Sequence, residues 1–311
     1  MSLTSLLDDR SSVLGRWFRA TFPNVGFVQD SYAAHDPGVQ PAPASAANPG
    51  TLGAAFDWLI RLILTPQPDA TVLVAASVDG QSRSGRLAWE LLLAAPHVKD
   101  GEMAARWAWT AALVTEVVRV GLMPGSPLTR LSPAPTLDDA YLLTPDLVIE
   151  ELLTFARAAQ STVLPLIRQR GEPLRPGATL AGSADVGGAD LDVVANGLLV
   201  ELKTTLGPKR RDGSRRFALS QVEIYQLLGY LLLDYTDSFR IDSCCIYNAR
   251  WRTQVVWPVQ QLLELLGVDR PLADLRADLS LALGGANPAS ARERLSAPLR
   301  APDDPLARIG L

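Results

Sequence analysis

Four charged residues, Asp190, Asp192, Glu201 and Lys203, stand in a stretch that otherwise belongs inside a protein, "GGADLDVVANGLLVELKTT", residues 187–205. Asn196-Gly197 in its middle predicts a two-residue type I′ hairpin, because both central positions of that turn need φ > 0. With the turn there, Ala195 faces Leu198, Val194 faces Leu199 and Val193 faces Val200. Continuing the ladder sets Asp192 opposite Glu201 and Asp190 opposite Lys203. The two-residue repeat then puts all four charges on one face and Leu191, Val193, Val200 and Leu202 on the other. Two facing carboxylates repel each other, and apolar surroundings raise the cost. One ammonium cannot coordinate both carboxylates and also serve a substrate. A hard divalent cation accepts oxygen ligands from Asp and Glu and keeps several waters, so Mg²⁺ or Mn²⁺ is the implied occupant. The competing reading is an exposed edge hairpin with solvated charges, for which "LLVELKTT" is too apolar.

The pattern of Asp192 followed by Glu201-Leu202-Lys203 resembles the PD-(D/E)xK nuclease superfamily. The wording "GSADVGGADLDVVANGLLVELKTT", then "YQLLGYLLLDY" and "IYNARW", is similar to uncharacterised bacterial members of it. The likeness is strong over residues 178–257 and slight before them. In the RecB-like branch a helix after the E-x-K strand carries Q-x-x-x-Y. Gln226 and Tyr230 in "QLLGY" fit that motif and Gln221 and Tyr225 in "QVEIY" also fit; the family-like wording favours the later pair. Relatives carry a histidine metal ligand in an early G-x-x-x-H, where this chain has "GAAFD", Gly53 to Asp57. Asp57 is then a substitute ligand, or a carboxylate pairing or capping within its own helix.

The resemblance implies a metal-dependent deoxyribonuclease of bacterial DNA repair, restriction or anti-phage defence. Asp192 and Glu201 would hold the ion, with Asp190 beside them, and Lys203 would orient the nucleophile or stabilise developing charge. Gln226 and Tyr230 complete the implied catalytic set. The loop "GPKRRDGSRR" carries Lys209, Arg210, Arg211, Arg215 and Arg216 against Asp212, and such a loop pairs with DNA phosphates or is simply solvated. The alternative from another class is a nuclease-fold protein that no longer cuts and binds nucleic acid or a partner protein.

The elements that must position these residues follow from pattern. The 311 residues, 48% hydrophobic and 20% charged, suit a globular protein with a real core. Residues 1–50 read as a short helical segment and a Pro/Ala-rich linker, and 51–175 as mostly helical, with "TLDDAYLLTPDLVIEELLTFARAAQ" taken as helix throughout. "DATVLVAASV" fits strand or helix equally. Residues 176–268 carry the nuclease-like core: a strand near Thr179, a hairpin over 189–204, helix 219–234, strands 241–248 and 252–257, and helix 258–267. Residues 269–311 end in a Pro/Ala/Arg-rich tail. The expected fold class is α/β, a restriction-endonuclease-like mixed central sheet flanked by helices with an N-terminal helical region.

Several classes drop out. A net charge of -4 excludes binding polyanions by bulk basicity, which leaves only a local patch. "AARWAWTAALVTEVVRVGLM" carries Arg106, Glu116 and Arg119, which makes it a core helix rather than a membrane span. Cys244 and Cys245 are adjacent, so their side chains point to opposite faces of a strand; they lack metal-site spacing and suit a reducing cytoplasm. A P-loop and a nucleophile elbow are absent, and His35 and His97 are the two histidines. The helical region offers a surface for a homo-oligomer or a partner protein.

Overall fold

A computed structural model describes residues 3–65 and 70–284. It opens with α1 (Leu3–Asp8), α2 (Val13–Thr21) and α3 (Val25–Ala33). Residues 34–48 then run without helix or strand. Next come α4 (Pro49–Leu64), α5 (Thr71–Ser77), α6 (Arg83–Ala94), α7 (Gly101–Val120), α8 (Leu137–Tyr141), α9 (Asp146–Ser161) and α10 (Val163–Arg170). The second half is β1 (Leu174–Pro176), β2 (Val193–Ala195), β3 (Leu198–Lys203), α11 (Gln221–Leu233), β4 (Ser243–Asn248), β5 (Thr253–Pro258), α12 (Val259–Leu265) and α13 (Leu272–Ala282). The Pro/Ala/Arg-rich tail from residue 285 lies outside the described residues.

The strands form one open sheet in the order β1-β2-β3-β4-β5, antiparallel except for the parallel pair β3 and β4. Parallel neighbours need a crossover, and α11 supplies it. Both sheet faces are buried. Val193, Val200, Leu202, Cys245 and Tyr247 join a core with Phe56 of α4, Trp107 of α7 and Phe155 of α9. Val194, Leu199, Cys244, Ile246 and Trp257 join a second core with residues of α1–α3 and α11–α13. The molecule is thus an α/β protein of three layers, with a mixed sheet between two sets of helices. Cys244 and Cys245 are free, buried and assigned to opposite cores, as alternation requires.

Two helix starts matter for the site. Asn48 caps α4, its Oδ1 accepting from Gly50 N at 2.8 Å and Thr51 N at 3.2 Å, with Pro49 at the first position. Ser220 and Glu223 form a capping box at the start of α11.

The structure corrects two expectations. The segment from Thr136 is two helices, because Pro145 forbids a continuous turn and holds Thr144 out of the helical region. The strand expected near Thr179 is a lone bridge between Thr179 and Asp190, while the regular strand lies earlier, at Leu174–Pro176. The ambiguous "DATVLVAASV" contains α5, which packs on α6 and α7. Among the described residues no helix is long and apolar enough to cross a membrane.

Candidate active site

The C-terminal end of β3 opens into a cavity of about 360 Å³ lined by residues of α4, β3 and α11 and by the approach to β2. Asp57, Asp190, Asp192, Glu201, Lys203, Gln226 and Tyr230, separated by up to 173 positions in the chain, all line it. Each arrives for a local reason. Asn196 and Gly197 take φ of 42° and 84°, the turn that returns β3 alongside β2 and keeps Val193 opposite Val200. The α11 crossover brings Gln226 over the strand end, and α4 packs against β3 with Asp57 toward the cavity.

Lys203 is the hub. Its Nζ donates to Glu201 Oε1 and to Gln226 Oε1, both at 2.7 Å, and Gln226 Nε2 donates to the Tyr230 hydroxyl at 3.0 Å. The earlier pair is occupied elsewhere: Gln221 Nε2 donates to Tyr225 OH, which donates to the Phe22 carbonyl. Gln226 and Tyr230 are therefore the Q-x-x-x-Y pair that reaches the cavity, and Gln221 and Tyr225 tie α11 to the α2 end.

Electrostatically the pocket is loaded. Glu201 is 2% exposed, and its Oε2 is buried without a hydrogen-bond partner among the described residues. Burial pushes its carboxyl pKa up, opposed by the Lys203 ammonium. Asp192 is raised well above the usual carboxylate range, first by burial, then by the Glu201 and Asp57 charges; the Leu202 N–H and Arg61 oppose this. Burial alone would lower Lys203, but the Glu201 and Glu223 charges override it and hold the amine above its ordinary value. Burial also raises the Tyr230 phenol, helped by Glu201 and Asp192.

The ladder does not run as the sequence pattern predicts. Pairing of β2 with β3 ends at Val193 and Val200. Beyond it the chain stays with the β1 side: Gly177 N donates to the Asp192 carbonyl at 2.8 Å and Leu191 N to the Ala178 carbonyl at 3.1 Å. The Leu202 N–H is instead taken by the Asp192 carboxylate, Oδ2 at 2.7 Å. Asp192 therefore meets β3 through its side chain, close enough to feel the Glu201 charge, rather than by standing opposite Glu201 in the ladder. Leu191, expected on the face with Val193, joins the core that holds Val194 and Leu199. Asp190 is bridged to Thr179, whose hydroxyl donates to Oδ1 at 2.9 Å.

Asp57 is paired within its own helix, forked onto Arg61 of α4 with Nε to Oδ1 at 2.9 Å and Nη2 to Oδ2 at 2.6 Å. Arg61 and Arg119 also line the cavity, and no sequence motif assigns either to the site. For Arg61 a signal existed: an arginine inside the apolar run "FDWLIRLIL", four residues after an aspartate.

Two residues of "IYNARW" brace the chain just past Lys203. Asn248 Nδ2 donates to the Thr205 carbonyl at 3.0 Å, and Arg250 Nε donates to the Thr204 carbonyl at 2.6 Å. Arg250 also donates to the Pro43 carbonyl and pairs with buried Glu151 of α9.

Lys209, Arg210, Arg211, Arg215 and Arg216 do not line the cavity. They sit on a turn between β3 and α11, closed by a bridge from Lys209 to Arg215. Arg215 is half-buried and donates to the Gly207 carbonyl, and the other four are exposed. Among the described residues there is no group of three or more His, Cys, Asp or Glu side chains arranged to hold a metal ion. No protein-family model, curated protein or solved structure matches this chain.

Proposed function

We propose that this chain is a divalent-metal-dependent nuclease that hydrolyses DNA phosphodiester bonds, with Asp192 and Glu201 as ligands of Mg²⁺ or Mn²⁺. The observation that carries this reading is the Glu201 Oε2 atom, sealed from water and without a donor, beside a second, half-buried carboxylate. A bare carboxylate oxygen there costs about 1–3 kcal/mol or more, and a fold keeps that cost where a cation or a reaction relieves it. The donors fit a hard cation: two carboxylates, with the rest of the shell left to water and substrate phosphate, is the usual way Mg²⁺ is held. The E-x-K resemblance and the Gln226–Tyr230 pair support the same reading.

When bound, the ion supplies Lewis-acid polarisation of the phosphate and acidification of a water. The protein's own part is positioning. Glu201 Oε1 and Gln226 Oε1 take two of the three Lys203 N–H groups, which leaves one to donate to a phosphate oxygen or to the attacking water. Tyr230 fixes the Gln226 amide and so the direction in which Lys203 points. Lys203 stays charged because its carboxylate neighbours outweigh its burial, and it can stabilise charge that develops on the phosphate. The exposed cations of residues 209–216 supply sequence-independent attraction to the DNA backbone.

The test is divalent-dependent cleavage of linear, circular and single-stranded DNA by wild type, Glu201→Ala and Lys203→Ala. Cleavage by wild type that is lost with EDTA and in both variants supports the proposal. Cleavage that survives both substitutions, or none by wild type with either ion, overturns it.

A further inference from the structure

Arg61 is buried in the wall of the cavity, its side chain 6% exposed. Its guanidinium lies 4.8 Å from the centre of the Trp58 ring and is forked onto Asp57. The seat is made by another part of the chain. Gly177 has φ of +74°, and a Cβ there would stand 1.9 Å from Arg61 Nη1, so only glycine leaves room for the guanidinium. That same Gly177 pairs with Asp192 through its backbone. The arrangement therefore couples Arg61, Asp57 and Asp192 through packing, which a solvated helix-surface ion pair does not do.

The charges of the cavity wall are informative. Four carboxylates, of Asp57, Asp190, Asp192 and Glu201, face two cations withdrawn from solvent, Arg61 and Lys203. Arg119 is exposed, and Glu223 is used in capping α11. Among these six side chains two negative charges are left over, the charge of one divalent cation. Asp57 is the third carboxylate that could close a coordination shell, and both of its oxygens are taken by Arg61.

Resting on the nuclease reading above, we infer that Arg61 is a positioning residue: it withholds Asp57 from the metal, so that the site takes a single divalent ion on Asp192 and Glu201 at deliberately moderate affinity. An ion held by two carboxylates keeps coordination positions for substrate phosphate and water, whereas a third carboxylate would fill one of them. Arg61 supplies the positive charge that a second ion would otherwise bring to this side of the cavity.

The experiment is titration of full-length protein with Mn²⁺, reading free Mn²⁺ by electron paramagnetic resonance, for wild type, Arg61→Gln, Arg61→Lys and Asp57→Asn/Arg61→Gln. Wild type should bind one ion per chain. Arg61→Gln frees Asp57 and removes a buried positive charge, so binding should tighten about tenfold or more. Arg61→Lys, which keeps the charge, should stay within about threefold of wild type, and so should the double variant, which removes a neutral pair. A merely structural Arg61 gives the opposite sign, because its loss loosens the site and weakens Mn²⁺ binding. Weaker or unchanged binding by a folded Arg61→Gln overturns the inference. If that variant does not fold, a tenfold loss in the double variant overturns it by showing that Asp57 is a ligand in the wild type. Two ions bound per wild-type chain also overturns it. No ion bound by wild type refutes the nuclease reading itself, and this inference with it.

Discussion

Asp192→Asn should make the metal-free protein more stable while destroying its activity. In the wild type the carboxylate is half-buried near Glu201 and Asp57, with the Leu202 N–H as its hydrogen-bond donor at 2.7 Å. An asparagine Oδ1 keeps that bond and removes the like-charge repulsion. Leaving a buried charge undercompensated costs roughly 1–3 kcal/mol, and with one donor retained about 1–2 kcal/mol is the expected gain. At about 2–4 °C per kcal/mol this is a rise in Tm of about 2–8 °C in EDTA at pH 7.5, measured by calorimetry. The pH dependence has a definite sign. Burial and the neighbouring carboxylates raise the folded-state pKa of Asp192 above 3.8, so its favourable contribution is complete below that pH and is lost as pH rises through the folded value. The gap between variant and wild type is therefore open at pH 7.5 and closes on acidification. Saturating Mg²⁺ should reverse the order by stabilising the wild type, about 2.7 kcal/mol at a hundred times Kd, and leave the variant unmoved. A variant less stable than wild type in EDTA, or an equal Mg²⁺ shift in both, refutes the reasoning.

Three further outcomes are expected. Gly177→Ala forces a left-handed residue to carry a Cβ against Arg61 Nη1; at roughly 1–2 kcal/mol for the backbone alone, Tm should fall by at least about 2 °C, and an unchanged Tm would show that the seat is loose. Gln226→Ala should cut DNA cleavage by about tenfold or more because it releases Lys203, while Gln221→Ala should lose about 1 kcal/mol of stability with cleavage intact; the reverse pattern would assign the motif to the earlier pair. Replacing the exposed Lys209, Arg210, Arg211 and Arg216 by glutamine should flatten the salt dependence of duplex binding by up to about 0.9 per lost phosphate contact, with Tm unchanged; an identical salt slope would remove this loop from the interface.

What could be read without coordinates was whatever local backbone chemistry decides. The Asn196-Gly197 turn admits one hairpin geometry, so the register from Ala195 to Val193 followed from two residues. The span of α11 and the opposite faces of Cys244 and Cys245 are legible for the same reason, whereas Asn48 and Pro49, which start α4, read as the end of the Pro/Ala-rich linker. The peeling of Asp192 away from β3 was not, because Gly177 and Ala178 hold this stretch of backbone on the β1 side and the Asp192 side chain replaces the lost ladder bond. Such exchanges between main chain and side chain leave no periodic trace, so strict alternation places Leu191 in the wrong core. Pro145 did carry a local signal for the break between α8 and α9, and the apolar spacing on either side of it masked that signal. The Arg61 fork was visible as an i, i+4 pair, but its seat on Gly177 depends on residues more than a hundred positions apart.

The two neighbouring thiols give the molecule a natural pair of reporters. Cys244 is sealed by the layer containing α1–α3 and α11–α13, and Cys245 by the layer containing α4, α7 and α9, and burial suppresses the reactivity of both. Alkylation of single-cysteine variants would time the detachment of each helical layer separately, from probes one peptide bond apart. If the layer bearing Asp57 and Arg61 lifts before the one bearing Gln226, Cys245 is modified first, and the order in which the candidate pocket is dismantled can be followed by mass spectrometry alone.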